Sequence, residues 1–341
     1  MVLIKILKNF RSSPVFSAFM AASSALICWA AMTLSARAQA YPDRVIKVIV
    51  PFPPGGPTDI LARGLGEGFR LRTGQSFVIE NKPGANTGVA GMACKASAPD
   101  GYTLCFLAST TTSVNPHLYK DLRYSLADLA PVTNIAATRA VLLLNKEIPA
   151  NNLAELIAWS KANPEKLNYG SFGVGGETHL MMEWLKKKTG GQMTHVPFQG
   201  FAPALQAFDR GDIQIMIPVT IPMILDRIRD GRSKAIMILG DSRAENLPDT
   251  PAVGDLGLPT IGFGTWFGMF APVGTPNDRI EMVSAILRDV VQENSFAEKY
   301  LEGGGMVSRV STPDEFKAFL ARDYLAAGEL VKASGVTIEA P

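Results

Sequence analysis

Three short segments carry the residue types that could hold a small anion. Pro51-Phe52-Pro53-Pro54-Gly55-Gly56-Pro57-Thr58-Asp59 combines prolines that stiffen a loop with glycines that let a ligand approach the backbone. Ser109-Thr110-Thr111-Thr112-Ser113 sets five hydroxyl side chains in a row. Tyr169-Gly170-Ser171-Phe172-Gly173-Val174-Gly175-Gly176 repeats the glycine-rich device later in the chain. The first and third lead into helical patterns, and a helix start offers free N–H groups and a positive dipole end to an anion. The candidate ligand-binding residues are therefore Pro54, Gly55, Gly56, Thr58 and Asp59, then Ser109, Thr110 and Thr111, then Ser171, Gly173, Gly175 and Gly176. Glu80-Asn81-Lys82-Pro83-Gly84-Ala85-Asn86-Thr87-Gly88 is built in the same style, and Lys82 is either an anion partner or a solvated loop charge.

Catalysis finds no comparable support. There is no G-x-S-x-G nucleophile elbow and no G-x-x-x-x-G-K-[ST] phosphate loop. His117, His179 and His195 are scattered, with no C-x-x-C or H-E-x-x-H, so neither a catalytic residue nor a metal or cofactor site is expected. His179 and His195 are read as structural: the first as a hydrogen-bonding link between elements, the second as a satisfied core histidine.

The segments need a scaffold that brings strand ends together. Strand patterns over 44–50, 76–81, 102–108 and 131–137 alternate with helical patterns over 58–72 and 87–97. A second alternation starts near Ala140, with strands at 141–144, 167–170, 194–196, 213–217 and 234–238. Its helices are expected at 152–163, 176–188, 202–209 and 221–230, and two long helices over 276–292 and 313–334 close the chain. This is an α/β chain of two similar units, each a mainly parallel sheet flanked by helices. Ligands in such sheets sit beyond the carboxyl ends of the strands. Gly64, Gly66 and Gly68 fall inside the first helix, too far past the strand for a dinucleotide loop, and point to close helix packing.

The first forty residues read as a secretory signal peptide: Lys5, Lys8 and Arg11 precede an apolar stretch, and Ala38-Gln39-Ala40 supplies a cleavage site after Ala40. The whole chain has a formal charge of +2, but those forty residues hold Lys5, Lys8, Arg11 and Arg37 and no acid, so the remainder carries 29 basic against 31 acidic side chains. That balance gives no basic footprint for nucleic acid. Cys94 and Cys105 are compatible with a disulfide in an oxidising compartment, but two small buried thiols are the favoured reading.

Beyond the signal, the chain resembles the Bug, or TctC-like, family of periplasmic receptors of tripartite tricarboxylate transporters. The resemblance rests on Val50-Pro51-Phe52-Pro53-Pro54-Gly55-Gly56-Pro57-Thr58-Asp59, Glu80-Asn81-Lys82-Pro83-Gly84-Ala85 and Pro99-Asp100-Gly101-Tyr102-Thr103-Leu104. It extends through Leu167-Asn168-Tyr169-Gly170-Ser171, Thr194-His195-Val196-Pro197-Phe198 and Ala271-Pro272-Val273-Gly274-Thr275-Pro276. The resemblance implies a two-domain, type II-like periplasmic binding protein with a ligand cleft between domains. Residues 41–140 with 265–341 would form the first domain and 141–264 the second, with crossings near 138–142 and 262–266. It implies a small carboxylate ligand, integral membrane transporter subunits as partners, a sensor protein as an alternative partner, and a monomer; an enzyme on this fold ranks a distant third.

This chain departs from the family pattern in two places. Where a polar residue often follows the strand at 213–217, it reads Pro218-Val219-Thr220, so Pro218 and Thr220 complete the candidate site and leave no reader for an ammonium group. Where a small residue and proline are common, it has Glu177-Thr178, which puts a tricarboxylate in doubt.

Overall fold

The structure is a computed structural model, and it describes residues 41–240, 242–259 and 264–338. The expected signal peptide, residues 1–40, lies outside the described residues. The described residues from Arg44 onward form one compact unit, built on two sheets.

The first sheet has strand order β11-β4-β10-β3-β1-β2. Its opening half is two β–α–β steps: β1 (Ile46–Val50), α1 (Pro57–Thr73), β2 (Phe77–Asn81), α2 (Gly88–Lys95) and β3 (Thr103–Ala108). β1 lies between β2 and β3 and pairs with both in parallel. After β3 come a wide helical turn (Thr110–Val114), the short α3 (Asn115–Leu118) and β4 (Leu129–Thr138).

The second sheet has order β7-β6-β8-β5-β9. Its elements are β5 (Ala140–Asn145), α4 (Leu153–Ala162), β6 (Asn168–Ser171), α5 (Glu177–Thr189), β7 (Thr194–Pro197), α6 (Phe201–Arg210), β8 (Ile215–Met216), α7 (Pro222–Arg229) and β9 (Ser233–Leu239). The chain then returns through β10 (Trp266–Pro272), α8 (Asn277–Gln292), β11 (Met306–Ser308) and α9 (Pro313–Ser334).

Both sheets are mixed, and the cause is topological. Strands reached through a covering helix pair in parallel, as β6 does with β7 and β8. Strands next to the crossings run the other way: β10 is antiparallel to β3 and β4, and β5 is antiparallel to β8 and β9. The first crossing is the single residue Arg139, between β4 and β5. The return lies between β9 and β10, and residues 260–263 of it fall outside the described residues.

Helix ends follow local chemistry. Asn152 caps α4 by accepting from Glu155 N–H at 2.9 Å. Thr312 and Glu315 form a capping box at the start of α9, and Gly335 ends it with φ 68°. α1 begins one residue before the expected range, with Pro57 in its first turn and Gly56 as cap. The α1 glycines are contact points. An added Cβ would stand 2.8 Å from the Tyr300 ring at Gly64, 2.9 Å from Phe77 at Gly66 and 2.5 Å from Val290 at Gly68.

Cys94 on α2 and Cys105 on β3 are joined by a disulfide with Cα atoms 6.0 Å apart, which corrects the expectation of two free thiols. They sit among Ile49, Leu107, Phe270 and Phe316 in the first sheet's core. Ala327, Leu330 and Val331 near the end of α9 reach into the other core beside Leu180 and Trp184 of α5. The closing helix thus bridges the two sheets.

Candidate ligand-binding cleft

Loops at the strand ends of both sheets enclose a cavity of about 220 Å³. The first sheet contributes Phe52, Pro57 and Thr58 after β1, Asn86 and Thr87 after β2, Thr110 after β3, and Phe267. The second contributes Phe172, Gly176, Glu177 and Thr178 after β6, Met181 on α5, and Ile217 and Val219 after β8. Thr138, Ala140 and Thr265 supply the wall where the chain crosses. A larger hollow of about 350 Å³ near Ala85, Met92 and Tyr124 takes nothing from the second sheet, so it lacks the two-sided construction of a closing cleft.

Of the candidate ligand-binding residues, Thr58, Thr110 and Gly176 line this cavity, as do Glu177 and Thr178 where the chain departs from the family pattern. Pro54 and Gly55 stand exposed on the loop before α1, and Gly56 caps the helix. Asp59 is buried and its bonds are internal. Its Oδ2 accepts from Gly55 N–H at 3.0 Å and Arg63 Nε at 2.9 Å; its Oδ1 accepts from Arg63 Nη2 and Asn81 Nδ2, each at 3.0 Å. Burial pushes this carboxyl up, but those hydrogen bonds and the Arg63 charge outweigh it and hold it at about 2. Asp59 ties the loop to the helix and to β2.

The hydroxyl run divides its work. Thr111 Oγ1 donates to Thr87 Oγ1 at 2.9 Å, while Ser109 Oγ is buried with no hydrogen-bond partner among the described residues. The loop before α2 holds three successive non-glycine residues in the left-handed region: Ala85 (φ 46°), Asn86 (φ 48°) and Thr87 (φ 73°). Such strain persists only where neighbours fix it. Here Asn115 Nδ2 donates to Asn86 O at 2.8 Å, and Asn86 Nδ2 donates to Asn115 Oδ1 at 3.0 Å. Asn86 Nδ2 also reaches Gly175 O at 3.3 Å on the opposite loop. Asn86 and Thr87 are cleft residues that sequence reasoning left unassigned; their signal was their place at the second strand-to-helix turn.

The glycine-rich loop of the second sheet is held by neutral groups. Ser171 Oγ donates to Gly173 O at 3.1 Å and lies 2.6 Å from His195 Nε2. Gly175 N–H donates to His179 Nδ1 at 3.0 Å, which fixes that nitrogen as an acceptor. The His179 and His195 rings stack 3.9 Å apart, with Tyr169 on His195 at 4.9 Å. Burial lowers the pKa of both, and the neighbouring His179 helps hold His195 at about 4, so both rings are neutral at pH 7. The link between elements is made by His195, which is half-buried and not a core residue, while His179 ties α5 to the loop that leads into it. Pro218 O accepts from Val141 N–H at 3.0 Å at the crossing, and Thr220 Oγ1 is buried without a partner among the described residues.

Glu177, the first residue of α5, is buried in the cavity wall. Thr265 Oγ1 donates to its Oε2. Burial, with the nearby Asp323 carboxylate second, pushes Glu177 up to about 8. Asp323 on α9 accepts from Trp266 Nε1 at 2.8 Å and from Ser113 Oγ at 2.5 Å; burial pushes it up to about 6 against those bonds.

A two-sheet cleft with hydroxyls and helix starts facing inward matches a known receptor class. The profile of the tripartite tricarboxylate transporter family receptor, TctC, matches residues 61–336. The chain belongs to this family. Among relatives, one Bordetella pertussis protein is 35% identical over 302 residues, covering 89% of this chain and 93% of its own. BugT of the same organism is 30% identical, covering 92% and 96%. A solved structure described as a periplasmic transporter superposes with TM-score 0.78 at 34% identity, over 87% of this chain and 99% of its own. An R. palustris protein solved with adipate gives TM-score 0.78 at 27% identity, covering 87% and 99%. MatC from Rhodopseudomonas palustris with bound malate gives 0.75 at 28%, covering 85% and 100%. TctC proteins are periplasmic receptors, and no helix among the described residues is long and apolar enough to cross a membrane. Family and fold are those of a solute-binding protein.

Proposed function

We propose that this protein captures a small carboxylate in the periplasm and delivers it to the membrane subunits of a tripartite tricarboxylate-type transporter. The observation that carries this reading is the cavity of about 220 Å³ walled by both sheets, with Thr58, Thr87 and Thr110 from three successive strand ends on one side. Hydroxyls and backbone N–H groups at strand ends replace the water around a carboxylate, and hydrogen bonds to an ionised acceptor are stronger than neutral ones. The similar proteins solved with adipate and malate support the same ligand class.

Residues 1–40 act as the export signal, cleaved after Ala40. Residues 41–140 with 265–341 move as one lobe and 141–264 as the other. The hinge consists of Arg139 and the strand of return at Thr265, whose carbonyl accepts from Thr138 N–H at 2.8 Å. Ligand must favour the closed state differentially to drive the motion. The test is thermal shift of the chain from Tyr41 onward against small carboxylates, amino acids, amino alcohols and sugars. Ligand at 100 times its Kd adds about 2.7 kcal/mol to stability. A shift with carboxylates and none with amino alcohols or sugars is the expected result; no shift with any carboxylate overturns the reading.

A further inference from the structure

The cavity is short of positive charge. Among the described residues its lining includes no Arg, Lys or His, and the one lining side chain with an acid–base group is Glu177. The carboxyl takes a hydroxyl bond from Thr265, and the charged group that bears on it is another acid, Asp323 of α9. The remaining walls are largely apolar: Phe52, Phe172, Phe267, Met181, Ile217 and Met306. Phe52 and Phe267 meet edge to face with centroids 6.3 Å apart.

We propose that Glu177 determines specificity in this cleft, which takes a monocarboxylate with an apolar or aromatic body and turns away the matching dicarboxylate. This rests on the carboxylate-receptor reading above. One carboxylate is served by the threonine hydroxyls of the first sheet. The rest of the ligand then lies against aromatic and methionine side chains, which suit rings and alkyl chains. In a space of about 220 Å³ a second carboxylate stays inside the same walls, where it meets Glu177 and no cation. Burying a charge without a counter-charge is among the costliest steps in recognition. At neutral pH Glu177 keeps its proton and offers that group no counter-charge, and once Glu177 ionises the two carboxylates repel. Rejection by an uncompensated charge is the repulsive half of specificity.

Calorimetric titration with matched acids decides the matter: benzoate against terephthalate, and hexanoate against adipate, at pH 7 and pH 9, on the wild type and on Glu177→Gln. Wild-type protein is expected to bind at least one monocarboxylate about 10-fold or more tighter than its partner, or about 1.4 kcal/mol. The gap should widen at pH 9, where Glu177 ionises, and should stay constant with pH in Glu177→Gln. The wild-type comparison stands even where the variant fails to fold. Dicarboxylates binding as tightly as monocarboxylates, or a gap indifferent to both pH and substitution, overturns the role of Glu177 and leaves the receptor reading intact. No heat with any of the four acids overturns the proposed selectivity, and the receptor reading falls with it only if the wider thermal-shift panel of carboxylates is silent as well.

Discussion

Asp59 and Glu177 occupy the same kind of place, the first turn of the helix that follows a glycine-rich ligand loop, and they end in opposite states. Asp59 is held at about 2 and Glu177 is pushed to about 8. Both are buried. The difference is company: Asp59 has the Arg63 guanidinium, the Asn81 amide and the Gly55 N–H around it, whereas Glu177 has one threonine hydroxyl and a second acid. The positive end of a helix lies behind both, so the dipole does not decide. The comparison separates a carboxylate that builds a loop from one that presents itself to a cavity.

The largest break in that comparison should come from Asp59→Asn. It removes the charge that four N–H donors on three residues share and leaves Arg63 without its partner, although Arg63 is half exposed and water takes over part of its solvation. We expect a loss of about 2–3 kcal/mol in urea unfolding, with weaker carboxylate binding because the loop before α1 loosens. The wild-type protein carries the same signature in its pH profile. Because the folded pKa of Asp59 lies below its ordinary value, its stabilisation is present above the ordinary carboxylate range and is lost as pH falls toward about 2.

Glu177 predicts the reverse slope. Its folded pKa lies above the ordinary value, so its contribution is full at low pH and is lost as pH rises toward about 8. Glu177→Gln should flatten the alkaline limb and exceed the wild type at pH 9 by on the order of 1–2 kcal/mol. That figure is well under the full shift because opening of the cleft hydrates the carboxylate. A steeper alkaline loss in the variant than in the wild type would refute this reading of Glu177.

The histidine pair sharpens the contrast between the two loops. His195 is held near 4 and His179 is also lowered, so both resist protonation in the fold. Their contribution is present above the ordinary histidine range and is lost as pH falls below it, for His195 toward about 4. Protonating His179 Nδ1 also removes the acceptor that Gly175 N–H uses. Hydrogen exchange at Gly173 and Gly175 should therefore accelerate between pH 6.5 and pH 4 beyond the intrinsic trend, by a few-fold, while Gly55 stays protected down to about pH 3.

Sequence reasoning reached the scaffold where signals were local. The span of α9 matches expectation residue for residue, because Thr312, Glu315 and Gly335 mark its two ends. The cleft loops were legible as loops for the same reason. Individual contacts were not. Nothing in a run of five hydroxyls says that Thr110 faces the cavity while Thr111 turns to Thr87. β11 is three residues long and exists through pairing with β4, a tertiary effect with no periodicity of its own. The disulfide needed α2 laid over β3 to bring Cys94 to Cys105. Glu177 was visible as a departure from the family pattern, but its inward direction depends on Thr265, 88 positions away.

The smallest expected effect tests whether the second loop is organised by neutral bonds alone. Ser171 Oγ donates to Gly173 O and also receives Gly173 N–H at 3.3 Å, closing a tight turn over the start of the glycine run. Ser171→Ala removes both bonds and the contact to His195 Nε2. No charge is stranded, and His195 is only half-buried, so water can serve its nitrogen. The cost should be about 1 kcal/mol, the net worth of a neutral hydrogen bond or two, and the acid limb near pH 2 should not move, because Asp59 is untouched. If Ser171→Ala instead cost as much as Asp59→Asn, the second loop would depend on a single organiser just as the first does. The contrast between a charged and a neutral design would then be lost.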